Sequence, residues 1–190
     1  MRIAGPFLFG ALWAAFFIYW RLMAMNVKSA QRLEPPVSRI LRLVLLVAGI
    51  TLLSWGSIPG TWLHAQVLPD GAWRFWGGLA VTAAGLLFAV WARIHLGRNW
   101  SSAVTLKRDH ELITSGPYAL VRHPIYTGIL TGLLGSALAV DEVRGVLAIA
   151  IFAIAFWTKL RLEENWMRSQ FGETYAAYSS RVAALVPFVL

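Results

Sequence analysis

Apolar residues fall into five runs separated by short polar stretches, and the runs are too continuous to be the half-buried faces of soluble helices. Ile3 to Trp20 is almost wholly apolar, ends on Tyr19 and Trp20 and is followed by Arg21, which predicts a first membrane span of about 20 residues. Arg2 also suits a signal peptide, but the run exceeds the usual h-region and no small-x-small cleavage pattern follows, so the segment is expected to persist as a span. Gln31 to Ser38 is a polar connection containing Pro35-Pro36. Ile40 to Ile58 then makes a second span closed by Pro59-Gly60, Trp62 to Asp70 a short loop, and Trp73 to about Ile94 a third span. Beyond a polar segment from Gly97 to Asp109, two shorter apolar runs, Ile125 to Val140 and Val143 to about Trp157, are parted only by Asp141-Glu142. This predicts a tightly turned helical hairpin, tilted or locally thinning the bilayer. Gly128, Gly132 and Ser136, four apart, prepare one face of its first arm for close approach by another helix. From Lys159 the chain turns amphipathic, and the apolar tail from Ala183 to Leu190 is too short to span. The expected fold is an all-α polytopic membrane protein with about five transmembrane helices, divided into a three-span region (1–96) and a region (97–190) holding the hairpin and the amphipathic segment.

Composition sharpens this reading. With 58% hydrophobic and 14% charged residues, a soluble domain is excluded. The net charge of +8 does not indicate nucleic acid, because the basic residues flank apolar segments, where they act as topology signals and contacts to anionic lipid. Three connections hold 14 of the 17 Lys and Arg: the first, the one between spans three and four, and the segment after span five. With five spans these fall on one side, which is predicted to be cytoplasmic, with the N-terminus outside. Cysteine is absent, so disulfides and thiolate metal sites are ruled out, and His64, His95, His110 and His123 show no compact metal-ligand spacing.

The chemistry is expected between His110 and Tyr126, the longest stretch between strongly apolar segments that mixes ionisable, aromatic and turn-forming residues. Gly116-Pro117 forces a turn ahead of Tyr118. His123 precedes Pro124, which biases His123 away from helical angles and suits the first position of the next helix. His123 is therefore expected near an N-cap, where free N–H groups, the helix dipole and Arg122 favour an anionic group. If the last two spans form a hairpin, Glu163-Glu164 comes to face Arg122 and His123 at its open end. Taken singly, these residues also admit plainer roles: i,i+4 pairs of Lys159 with Glu163 and of Glu164 with Arg168, a capping His123, and Tyr118 and Tyr126 as interface anchors.

Taken together, His110-Glu-Leu-Ile-Thr-Ser-Gly-Pro-Tyr118, Arg122-His-Pro-Ile-Tyr-Thr-Gly128, Glu163-Glu164 and Phe171-Gly-Glu-Thr-Tyr175, with Tyr178, Arg181 and Pro187, resemble the isoprenylcysteine carboxyl methyltransferase family. The resemblance runs from about Trp100 to Pro187. It implies a membrane enzyme that binds S-adenosylmethionine on the cytoplasmic side without a soluble Rossmann domain, and the chain indeed lacks a GxGxxG signature. By resemblance, cofactor contacts fall on His110, Glu111, Leu112, Ile113, Tyr118, Arg122, His123, Pro124, Ile125, Tyr126 and Glu163. A family arginine that addresses the substrate carboxylate has no identical counterpart; Lys159 aligns best and Arg161 is nearby. Ala103 replaces a glutamine of eukaryotic members.

The implied reaction needs mainly placement, since the donor methyl is already activated and a carboxylate acceptor is already ionised. Lys159 or Arg161 would orient that carboxylate, and if the acceptor were an amine, Glu164 or a histidine would take its proton. The implied partners are a lipophilic or prenylated acceptor reached laterally from the bilayer, and membrane lipids, in what reads as a compact prokaryotic member in a bacterial plasma membrane. The alternatives are a nicotinamide-dependent membrane reductase and a non-catalytic lipid-binding subunit.

Overall fold

The structure is a computed structural model that describes residues 4–24, 34–56, 61–97 and 112–187. Among these residues are five α-helices, α1 (Ala4–Met23), α2 (Pro36–Ser54), α3 (Ala72–Leu96), α4 (Pro124–Val140) and α5 (Val143–Ser179), with single 3-10 turns at Thr61–His64 and Gly116–Ala119 and no strand. The helices run alternately between two faces. On one face, Arg93 near the end of α3 donates to the Met23 carbonyl at the end of α1 at 2.8 Å, and Arg122 ahead of α4 meets Glu164 in α5. On the other, Arg144 at the start of α5 donates to the Leu52 and Leu53 carbonyls that end α2, at 2.9 and 3.1 Å.

Helices α2, α3 and α5 are long and apolar enough to cross a membrane, while α1 and α4 are shorter apolar helices. The 17 residues of α4 extend about 25 Å at 1.5 Å per residue, close to the thickness of a hydrocarbon core. Val37, Ile40, Leu43, Val44, Val47 and Ile50 stand exposed along α2, an apolar face of the kind a bilayer covers. The protein is an all-α membrane protein.

Both ends of the second span differ from expectation. Helix α2 begins at Pro36 rather than Ile40 and stops at Ser54 rather than Ile58. Pro36 is preset for the first helical turn, and the Arg144 guanidinium takes the carbonyls that a continuing helix would need. Helix α5 carries the fifth apolar run on through the amphipathic segment from Lys159 as far as Ser179, with a local break at Gly172 (φ 48°, ψ −124°). Past Trp157 the helix stays packed on one side, because Leu160, Glu164, Trp166, Tyr175 and Tyr178 all turn inward.

The tightest packing joins α3 to α4. A Cβ on Gly85 would lie 2.5 Å from the Gly132 nitrogen and 2.6 Å from the Gly128 oxygen, and one on Gly135 would lie 2.5 Å from both the Gly78 oxygen and the Thr82 nitrogen. The small-residue face of α4 therefore meets a matching face on α3 formed by Gly78, Thr82, Gly85 and Ala89. Thr82 Oγ1 donates to the Gly132 carbonyl at 3.1 Å, satisfying a hydroxyl inside this contact. On the remaining flanks, α2 lies along α5 with the Phe152 ring against Gly49, and α1 is tied to α4 by Trp13 Nε1 donating to Ser136 Oγ at 3.1 Å. Beyond the far face, the 61–71 loop folds over the α4–α5 turn. There Leu68 N donates to Asp141 at 3.0 Å, Arg74 pairs with Asp141, and His64 Nδ1 lies 2.8 Å from Glu142. Burial pushes the Glu142 carboxyl up, but Arg144 and His64 outweigh it and hold it below the usual range.

Candidate active site at the α4 N-terminus

The site forms where the turn at Gly116–Ala119, the N-terminus of α4 and the second half of α5 converge. Gly116 is required twice over: its φ is 59°, and a Cβ there would lie 2.7 Å from the His95 ring. His95 in turn reaches Ser115 Oγ at 2.9 Å and stacks on Tyr118, with ring centroids 6.4 Å apart. Tyr118 is buried, and burial together with the negative charge of Glu163 keeps its phenol protonated. Its carbonyl accepts the Tyr178 hydroxyl at 2.6 Å, so the end of α5 fixes the turn.

His123 is the N-cap residue of α4 and Pro124 its first residue, as X-Pro geometry predicts. The residues ahead of the helix are held by main chain that has folded back after α5. Arg122 N donates to Ala183 O at 2.8 Å, His123 N to Ala184 O at 3.0 Å, and Thr127 Oγ1 to Leu185 O at 2.7 Å. The tail is thus a strap across the site.

Inside the strap the side chains form an ionic cluster. Arg122 Nε donates to Glu164 at 2.8 Å, and Arg122 Nη1 donates to the Ser179 and Val182 carbonyls. The His123 ring lies between the two carboxylates, Nδ1 at 3.5 Å from Glu163 and Nε2 at 3.4 Å from Glu164, and stacks on Tyr126 at 5.5 Å. Burial alone would lower the His123 pKa, but Glu163 and Glu164 outweigh it and raise it. The Tyr126 hydroxyl donates to Glu163. Lys159 Nζ approaches Glu163 at 3.9 Å and lies 5.0 Å over the Tyr126 ring. Helix geometry leaves the Ile125 and Tyr126 amides without intrahelical acceptors, and they collect at the positive end of α4.

The structure therefore brings together Tyr118, Arg122, His123, Pro124, Ile125, Tyr126, Lys159, Glu163 and Glu164, with Ile113 packed on the Tyr118 and Tyr126 cluster and Leu112 leading into the turn. Both plain i,i+4 pairs exist as well, Lys159 with Glu163 and Arg168 with Glu164 at 3.7 Å, as part of the cluster rather than instead of it. Arg161 is not brought in: it is exposed and lies against the Trp157 ring on the opposite side of α5. His110, Glu111 and Ala103 fall outside the described residues. Sequence reasoning missed a buried ion pair at the start of α2. Glu34 accepts from both ends of the Arg42 guanidinium and from Ser38 Oγ at 2.8 Å, on the helix that packs along α5. The spacing of Glu34, Ser38 and Arg42, four apart around the Pro35-Pro36 start, was the available signal.

Residues 73–174 match the model of the phospholipid methyltransferase family. The chain belongs to that family. Among curated relatives, it is 30% identical over 115 residues to protein-S-isoprenylcysteine O-methyltransferase B of Arabidopsis thaliana, covering 59% of this chain and 58% of that protein. It is also 37% identical over 95 residues to a cobalt-zinc-cadmium resistance protein of Cupriavidus metallidurans, covering 48% and 43%. The chain spans about half the length of the curated relatives it matches. The solved structure of a eukaryotic intramembrane Ras methyltransferase, an isoprenylcysteine carboxyl methyltransferase, superposes with a TM-score of 0.56 at 23% identity over 80% of this chain and 52% of that one, a likeness of fold. The family match takes in the whole ionic cluster but not the strap at residues 183–185.

Proposed function

We propose that this protein is an S-adenosylmethionine-dependent methyltransferase that acts within the membrane on a lipophilic acceptor, most plainly a carboxylate of isoprenylcysteine type. The observation that carries the reading is the Arg122–His123–Glu163–Glu164 cluster at the N-terminus of α4, which lies inside the matched family region. Its donor set fits the cofactor: amides and a dipole for a carboxylate, acidic side chains for an ammonium and ribose hydroxyls, and buried Tyr118 with Ile113 for an adenine. By the family resemblance, His110, Glu111, Leu112, Pro124 and Ile125 would contact the cofactor as well.

When bound, the cofactor supplies an already activated methyl group. The protein's part is to position and to exclude water. Glu163 is held by His123 and Tyr126, so its carboxylate is oriented before any ligand arrives. Glu164 is neutralised by Arg122 and acts as a positioning residue for His123. Lys159, rather than Arg161, holds the acceptor's carboxylate, because only Lys159 shares a helix face with Glu163. No general base is needed for an ionised oxygen nucleophile. In this reading residues 97–190 carry the cofactor chemistry, 1–96 form the membrane region beside it, and the site faces the cytoplasm.

Calorimetric titration of protein in nanodiscs with S-adenosylmethionine, S-adenosylhomocysteine and NADPH tests the reading. Saturable binding of the first two alone is expected. Glu163→Ala and His123→Ala should each weaken it at least tenfold, since a hydrogen bond to a charged group contributes about 1.5–3 kcal/mol. Binding of NADPH alone, or wild-type affinity in both folded variants, would overturn it.

A further inference from the structure

Arg161 stands outside the ionic cluster although Glu163 is only two residues on, because two residues on a helix point about 200° apart. Its exposed guanidinium lies 5.7 Å from the centre of the Trp157 ring, one turn earlier, and makes no hydrogen bond or ion pair among the described residues. Its five N–H donors are thus uncommitted there. Ile154, Trp157, Arg161 and Asn165 follow one another along one exposed stripe of α5, which passes from aliphatic to aromatic to cationic to polar. Glu163 and Glu164 leave the stripe free of carboxylate, since His123, Tyr126 and Arg122 hold them on the inner side. The level of the stripe follows from α3. Arg74 pairs with Asp141, which brings the starts of α3 and α5 together on the far face. From that pair, Trp91 and Trp157 each lie about 25 Å along their helices, and both indoles are exposed. They share one depth, and exposed tryptophan marks the boundary between hydrocarbon and headgroups.

We propose that Arg161, braced on Trp157, binds the phosphate of an anionic phospholipid whose chains lie along the exposed apolar face of α5. Arg161 is about 6 Å beyond Trp157 along the helix, which sets it among the phosphates once the indole is at the hydrocarbon edge. The planar guanidinium meets a phosphate through two parallel N–H donors, and the ring behind it restricts the directions it takes. A zwitterionic headgroup offers the same phosphate beside a cation that Arg161 repels, so the site selects lipids of net negative charge. Glu163 and Glu164 lie within one turn of Arg161 on the inner side, so a lipid held here fixes the depth at which the ionic cluster meets the bilayer surface. The site faces the bilayer rather than the cofactor, and it does not depend on the methyltransferase reading.

The absence of native cysteine allows a reporter at one chosen point. Thr158→Cys, exposed beside Trp157, is labelled with a bimane fluorophore in the full-length chain and reconstituted into bilayers of phosphatidylcholine and phosphatidylglycerol. Quenching is compared with either the phosphatidylglycerol or the phosphatidylcholine brominated on its chains, and the ratio gives the relative affinity of the two lipids at that point. Phosphatidylglycerol is expected to bind about fivefold more tightly, the gain one basic residue gives at an anionic surface. Arg161→Gln on the labelled background should bring the ratio to about one. Arg161→Lys should keep part of the preference, because the charge remains without the planar fork, and Trp157→Leu should lower it by freeing the guanidinium from the ring. A second reporter, Ile50→Cys on the exposed face of α2, should show no preference in a chain that retains Arg161. Equal affinity for the two lipids at Thr158→Cys, a preference that survives Arg161→Gln, or the same preference at Ile50→Cys would overturn the proposal.

Discussion

His123 is bound from both ring nitrogens by carboxylates, and this makes the site sensitive to pH in a definite direction. Its pKa is raised in the folded protein, so the stabilisation from imidazolium pairing is fully present below the ordinary histidine value near 6.5 and is lost as pH rises through the folded value. Thermal unfolding in detergent should therefore show a melting temperature that declines over that interval in wild type and is flatter in His123→Gln. A steeper decline in the variant would place the titration elsewhere. Arg122 complements this arrangement by neutralising Glu164 while its other donors hold the Ser179 and Val182 carbonyls, so its replacement by Lys should loosen both the ion pair and the strap. Cofactor affinity in Arg122→Lys should fall several-fold, and an unchanged value would show that the strap holds without it.

Among the helices, the α3–α4 contact leaves no room for side chains where the two backbones meet. Gly85→Leu would drive carbons into the backbone of Gly132 and Gly128, and overpacking of this kind costs about 1–3 kcal/mol. Gly77, with nothing within 4 Å of an added Cβ, is the control. Scanning fluorimetry should show a clear drop in melting temperature for Gly85→Leu and almost none for Gly77→Ala; similar behaviour of the two would refute the packing account. The α4 half of this contact could be read from Gly128, Gly132 and Ser136, and the α4–α5 hairpin from Asp141-Glu142. The α3 half could not, because Gly78, Thr82, Gly85 and Ala89 lie in a span that is apolar on all sides, where small residues do not stand out from lipid-facing ones. The end of α5 was hidden for a related reason: hydropathy falls at Lys159, but hydrogen bonding and the inward-facing Leu160, Glu164 and Tyr175 carry the helix on. The joining of His123 to Glu163 and Glu164 was legible from motif and hairpin geometry together. The pairing of Glu34 with Arg42 was not, because a basic residue beside a span reads first as a topology signal.

For the molecule as a whole, the alternation of five helices puts the site at one face and the 61–71 loop at the other, and the absence of native cysteine makes this directly measurable. The single variants Val67→Cys and Thr114→Cys, both at exposed positions, should react with a membrane-impermeant maleimide from opposite sides of sealed vesicles, Thr114→Cys from the cytoplasmic side. Labelling of both from one side would refute five crossings. The strap bears on a different matter, the order in which the molecule is made. Its bonds to Arg122, His123 and Thr127 come from the main chain of residues 183–185, which leaves the ribosome after all five helices. Every earlier stage of synthesis has its helices without this closure, so the nascent protein can insert and pack in the bilayer while the ends of its site are still free. The bonds that close the ends of the site are thus made only once residues 183–185 have emerged, whichever helix inserts first.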